Sequence, residues 1–144
     1  MGPLPRLADD GRKPMIAYAA PAAAGKLKIP IVMTGLGLSA KATQAAITGL
    51  PPAVTVGLLP YASDVPRWLS AARAAGHELV LQVPMEPFDF PDCDPGPYTL
   101  RVGSMSSVNA ERLNWALTRF TGYAGVTNLL GDRLLSDSEA LAPS

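Results

Sequence analysis

The strongest constraint on this chain is the regular exchange of short apolar runs and helix-forming stretches between residues 29 and 83. Ile29-Pro30-Ile31-Val32-Met33 runs into Thr34-Gly35-Leu36-Gly37, Val54 to Leu59 reads VTVGLL, and Glu78 to Val83 reads ELVLQV. Runs of this length, rich in β-branched residues and punctuated by Gly or Pro, have the pattern of buried strands. Between them, Leu38 to Ile47 has Ser39 as N-cap and Gly49 as stop. A second stretch is capped by Ser63 or Asp64, passes Trp68, Leu69 and Ala72 to Ala75, and meets Gly76 at its C-terminal end. Both read as helices. Strands apolar on both faces, separated by single helices, predict parallel βαβ units with right-handed crossovers.

Beyond the third run the pattern breaks. Pro84 to Pro97 (PMEPFDFPDCDPGP) holds five prolines and three aspartates and reads as a long surface loop at the functional side of an α/β sheet. A third helix is expected from about Ser107 to Phe120, with Leu113, Leu117 and Phe120 on one face. A fourth strand is expected over Gly125 to Leu129. Ser136 and Glu139 have capping-box spacing, so a last helix is expected to begin there and to be cut short by Pro143.

Residues 1–28 keep neither helical nor strand period, with Pro3, Pro5, Pro14 and Pro21 and an Ala-rich patch from Ala17 to Ala24. They read as a linker or arm, the alternative being a docked arm that adds a strand. Residues 29–144 then form the domain. A complete eight-unit barrel normally needs more than 144 residues. Twelve basic and twelve acidic side chains balance, so there is no basic footprint for nucleic acid. Ile29 to Leu38 comes nearest to the ~20 apolar residues of a membrane span, and Gly35 and Gly37 interrupt it. Cys93 is the single cysteine and His77 the single histidine, which excludes an internal disulfide and CxxC metal motifs and leaves no usual nitrogen–sulfur zinc set.

His77 follows Gly76 on the N-terminal side of the third strand, the wrong end for α/β chemistry, and a surface or structural role is expected. Trp68 and Trp115 are expected to pack rather than to act as sugar platforms. Gly35-Leu36-Gly37-Leu38-Ser39-Ala40 matches a relaxed dinucleotide fingerprint, but the second strand ends Leu58-Leu59-Pro60-Tyr61 without the ribose-binding acid. No cofactor is expected. Glu86 is the one carboxylate near the functional edge; Asn128, Asp132 and Arg133 follow the fourth strand. These polar groups can hold a ligand or stand in a solvated loop.

Three blocks carry a resemblance: Ile31-Val32-Met33-Thr34-Gly35-Leu36-Gly37, Leu81-Gln82-Val83-Pro84-Met85-Glu86-Pro87, and Gly125-Val126-Thr127-Asn128-Leu129-Leu130-Gly131-Asp132-Arg133. In order and spacing they resemble the signature blocks of the divergent polysaccharide deacetylases, bacterial envelope-associated relatives of the metal-dependent carbohydrate esterases. The resemblance implies parallel βαβ units forming roughly the first half of a distorted (β/α) barrel. It also implies a cell-envelope setting and, in active members, a metal-dependent carbohydrate N-deacetylase.

The departures point away from that activity. The family's first block carries two aspartates, as base and metal ligand, where this chain has Thr34 and Gly35. Its second block carries a ligand histidine where Gln82 stands, and its third a ligand histidine where Leu129 stands. Neutral or aliphatic groups at these positions are poor cation ligands. The expectation is therefore a catalytically inactive domain without metal, with Thr34, Gly35, Gln82, Met85, Glu86, Asn128 and Arg133 as candidates to line a pocket for a carbohydrate or peptidoglycan fragment. A structural or interaction domain of an envelope protein, without ligand, is the alternative. Self-association through an exposed sheet edge is expected of such a half barrel.

Overall fold

The computed structural model describes residues 2–21 and 29–142. Ala22 to Ala24, the arm boundary at residue 28 and Pro143 lie outside the described residues. The elements, in chain order, are α1 (Pro14–Ala17), β1 (Val32–Leu36), α2 (Ala40–Gly49), β2 (Thr55–Leu58), α3 (Val65–Ala74), β3 (Leu79–Met85), α4 (Ser106–Leu117), β4 (Gly125–Leu130) and α5 (Asp132–Leu135). The four strands form one sheet in the order β1-β2-β3-β4, every neighbouring pair parallel. Chain order equals spatial order, so each crossover steps one strand sideways, as in a barrel opened along its length.

The caps follow from local chemistry. Ser39 Oγ accepts the Ala42 N–H at 3.3 Å at the start of α2, as the sequence indicates. At α3, Asp64 occupies the cap position in the left-handed region (φ 54°) but its carboxylate caps nothing; Pro66 fits the first turn. The Trp68 indole N–H instead donates to Ser63 O at 2.9 Å. The end of α3 is a Schellman motif: the N–H of Gly76 donates to Arg73 O and that of His77 to Ala72 O, both at 2.9 Å. The turn requires φ > 0 at its C′ residue, which Gly76 adopts at +86°.

The core lies on one face of the sheet. Val56, Leu58, Leu79 and Leu81 meet Ile47 of α2, Trp68 and Ala72 of α3, and Phe120 and Tyr123 after α4. Each such aliphatic side chain, fully buried, contributes roughly 1.5–3 kcal/mol. Phe120 is buried as its helical phase suggests, although α4 ends three residues earlier. A smaller cluster of Val83, Leu100 and Leu134, with Leu113 packed against it, covers the C-terminal half of β3.

Two local expectations are corrected. Pro84 and Met85 belong to β3, not to the following loop; Pro84 is paired with Leu129. A proline is tolerated because Pro84 O accepts from Leu100 N at 2.9 Å, so the missing N–H falls on the Leu100 side and not on the β4 ladder. The last helix starts at Asp132 rather than Ser136. Ser136 Oγ donates back to Arg133 O, and Asp137 Oδ1 accepts the N–H groups of Glu139 and Ala140, giving a turn. Of the two roles expected for His77, surface or structural, the structure has the structural one. The residue is 4% exposed, and its ring nitrogens stand 2.8 Å from Val54 O and 3.0 Å from Ile47 O, tying the end of α2 to the approach to β2. No described residue of the arm joins the sheet. The arm's Ala20 N–H donates to Glu78 Oε2 at 3.1 Å, and the Arg73 guanidinium lies over the Tyr18 ring.

Tyr123 adds a pH dependence. Its hydroxyl donates to Leu117 O at 3.0 Å, its ring meets Phe120 edge-on, and burial pushes its pKa from 10.0 up to about 12. The folded state resists ionisation, so the stability tied to the neutral phenol is complete below pH 10 and declines as pH rises toward 12. Between those values stability should fall by about 1.4 kcal/mol per pH unit from this group. Urea titrations at stepped alkaline pH should show that slope, and Tyr123→Phe should flatten it. An unchanged slope in the variant would show that other groups govern the alkaline limit.

Candidate functional site

Register sorts the candidate residues by face. Val56 and Leu58 on β2 align with Leu79 and Leu81 on β3, and all four point to the helices. Because side chains alternate along a strand, Gly57, Val80 and Gln82 point to the opposite, concave face. Gln82 aligns with Thr127, and Pro84 with Leu129, on that face; Val83 aligns with Asn128 on the helix side.

Gln82 is the centre of the concave face. It is 2% exposed, and both polar atoms of its amide are engaged. Oε1 accepts the Gly35 N–H at 2.5 Å, and Nε2 donates to Asn128 O at 3.4 Å. The side chain therefore runs from β3 to β1, crossing β2 above Gly57. A Cβ at Gly57 would stand 3.4 Å from both Gln82 Cγ and Thr34 Cγ2, in ordinary van der Waals contact with the clasp. β1 bends to meet the amide, with an irregularity between Met33 and Leu36 and φ +80° at Gly35.

The carboxylate candidate sits elsewhere. Glu86 is 3% exposed and not in a solvated loop. Its Oε2 accepts the Val102 N–H at 2.7 Å and its Oε1 pairs with Arg133 Nη1 at 3.0 Å. Its backbone N–H donates to Leu100 O, and its carbonyl accepts from Leu134 N. Glu86 thus fastens the returning loop at 100–102 and α5 to the end of β3. Arg133 is half-exposed, which suits a guanidinium that partners a buried charge and keeps its edge in water. Met85 packs under Gly131, where a Cβ would fall on the Met85 side chain. The Asn128 side chain is exposed on the helix side of the edge strand and donates to Leu130 O at 2.7 Å.

The structure accordingly divides the seven candidates. Thr34, Gly35 and Gln82 come together on the concave face, where Asn128 contributes only its carbonyl. Met85, Glu86 and Arg133 form a separate group beyond the end of β3. An aromatic stack not anticipated from the sequence locks the same loop: Tyr98 lies flat on Trp115 at 3.7 Å and Tyr61 tilts against it at 5.2 Å. The Tyr61 hydroxyl accepts the Tyr98 N–H, and burial is the main cause of its raised pKa. Trp68 is a core residue, 2% exposed. In the glycine-rich turn, the Gly37 N–H is spent on Thr43 Oγ1 at 2.9 Å.

Among the described residues, no three His, Cys, Asp or Glu side chains gather as a metal-holding group. The donor set on the concave face does not suit a divalent cation either. Gly35 and Leu129 bring no donor atom, Thr34 brings a neutral hydroxyl, and the Gln82 amide is already spent on β1 and β4.

A parallel α/β sheet whose strands step sideways in chain order is a partial barrel of the carbohydrate-deacetylase type. The family model for divergent polysaccharide deacetylases matches residues 31–144, and the chain belongs to that family. It is 28% identical over 124 residues to the uncharacterized protein YibQ of Escherichia coli (strain K12), a match covering 85% of this chain and 37% of that protein. The crystal structure of the uncharacterized protein ATU2773 from Agrobacterium tumefaciens C58 superimposes with a TM-score of 0.92 at 43% identity. That match covers 98% of this chain and 58% of the Agrobacterium chain. The chain thus spans under two thirds of the length of either relative. No helix among the described residues is long and apolar enough to cross a membrane.

Proposed function

We propose that this chain is a non-catalytic member of its family, a deacetylase-like domain that retains a place for a carbohydrate or peptidoglycan fragment without hydrolysing it. The carrying observation is the Gln82 clasp. At the position where the family resemblance places a histidine ligand, both amide atoms are bonded to backbone groups of the neighbouring strands. Without a cation nothing there acidifies a water or polarises an N-acetyl carbonyl. Metal analysis of the purified chain should give substoichiometric zinc, and chitooligosaccharides should release no acetate with or without added metal. Stoichiometric tight zinc, or metal-dependent acetate release, would sink the proposal.

For binding, the polar groups open to a ligand are the Thr34 hydroxyl on the concave face, the exposed Asn128 side chain on the helix side of β4 and, beyond the strand ends, the outward edge of Arg133. Sugar-fragment titration watched by NMR should move resonances at these residues. A second reading, a structural or interaction domain of an envelope protein, is favoured by Glu86: the one carboxylate near the functional edge is consumed in fastening a loop. Spectra unmoved by glycan fragments would decide for it.

A further inference from the structure

We propose that residues 2–21 are a strap rather than a linker, a segment that the rest of the chain binds as an intramolecular ligand beneath the β3–β4 pair. The inference is independent of whether the concave face binds sugar. A terminal segment stays loose unless something ties it down, and this one is tied along its length. At its start, a Cβ on Gly2 would stand 2.5 Å from Thr118 O, so only the bare backbone fits against the end of α4. Pro3 to Arg6 then form one wall of a groove whose other wall is Phe120 to Tyr123. The chain doubles back at residues 8–12. There the Gly11 N–H donates to Ala8 O at 2.8 Å, the Ala8 N–H donates to Arg12 O at 2.9 Å, and Arg12 pairs with Asp10 at 2.6 Å.

The returning limb reaches the other side of the same seat. Tyr18 lines the groove, and the Arg73 guanidinium stands 5.1 Å from the centre of its ring while also donating to Gly122 O. Two residues on, the Ala20 N–H donates to Glu78 Oε2 at 3.1 Å. The first limb therefore meets the approach to β4, the second meets the approach to β3, and Arg73 joins the two. The strap clamps from below the strands that carry Gln82 and lead into Glu86 and Arg133. The partners of both limbs are residues of the chain's own interior segments, from Arg73 to Tyr123. The arm also belongs to the shared fold: the match with the Agrobacterium crystal structure covers 98% of this chain, which leaves too few residues for the arm to fall outside it.

Hydrogen exchange on the full chain, read by mass spectrometry, tests the proposal. A four-residue helix such as α1 does not persist alone in water, so protection there reports docking. Amides of residues 16–20 should exchange at least about tenfold more slowly than in a synthetic peptide of residues 2–21. Tyr18→Ser, and separately Glu78→Ala, should each speed exchange in the arm and together with it in residues 118–124, by about threefold to tenfold. The amides of β1 and α2 should keep their rates. Arm amides that exchange as fast as in the peptide would overturn the proposal, as would variants that loosen the arm and leave residues 118–124 at the wild-type rate. A variant that fails to fold is recognised by lost protection in β1 and α2, and the other variant and the wild-type rates then decide.

Discussion

Replacing Arg133 by methionine is expected to lower the unfolding free energy by about 3 kcal/mol, although the residue is half-exposed and an ordinary surface change costs within about 0.5 kcal/mol. The reason lies with its partner. The Glu86 side chain is 4% exposed, and without the guanidinium its charge is buried with the Val102 N–H as its remaining donor. Glu86→Gln should cost less, because a neutral amide oxygen can keep the Val102 bond and leaves no orphan charge. Combining the two changes should therefore recover part of the Arg133→Met loss. Urea denaturation of the four proteins closes the double-mutant cycle. Arg133→Met within 0.5 kcal/mol of wild type would mean that water replaces the guanidinium at no cost.

The second large effect is steric. Gly131 has φ +97°, and an added Cβ would fall on Met85 Cβ with its Cγ and Sδ close behind. The obstructing atom is the root of a side chain on a paired strand, so rotamer changes cannot clear it. Gly131→Ala should cost about 3 kcal/mol or more, from overpacking added to the left-handed penalty, and should lower the melting temperature by roughly 10 °C. Gly35 is the control. Its φ is +80°, yet nothing lies within 4 Å of an added Cβ, so Gly35→Ala should carry only the backbone penalty of about 1–2 kcal/mol. Equal losses at the two glycines would show that conformation and not contact sets the cost.

Both predictions concern the segments around β3 and β4, and both bear on the reading of the site. Residues that look like chemistry in the sequence, a glutamate and an arginine near strand ends, are here partners of each other. They hold the loop at 100–102 and α5 against β3. The concave face is organised in the same way, with the Gln82 amide joining strands that the ladder alone does not join. Side chains that in a catalytic domain would face substrate are spent on architecture, and that agrees with the proposal of a non-catalytic domain.

Much of the architecture was legible in the residues. Apolar runs of five or six residues, separated by capped and Gly-terminated helical stretches, specify parallel βαβ units because burial on both faces and the Schellman turn at Gly76 are local or periodic requirements. The three signature blocks were legible too, and with them the family. Facing and pairing were not. Whether Asn128 points with Gln82 or away from it depends on the register of β4 on β3, and a one-residue shift would reverse every side chain. The partners of Glu86 lie 16 and 47 positions along the chain, beyond any local spacing rule, and the burial of His77 follows from carbonyls of two other segments. Sequence by itself determined which segments become strands and helices and which residue types stand at each position of the signature blocks, since those are properties of single residues and short periods. Only the tertiary structure decided which polar groups are consumed by one another and which face each side chain takes, because hydrogen bonds and burial are settled between segments that chain order does not bring together.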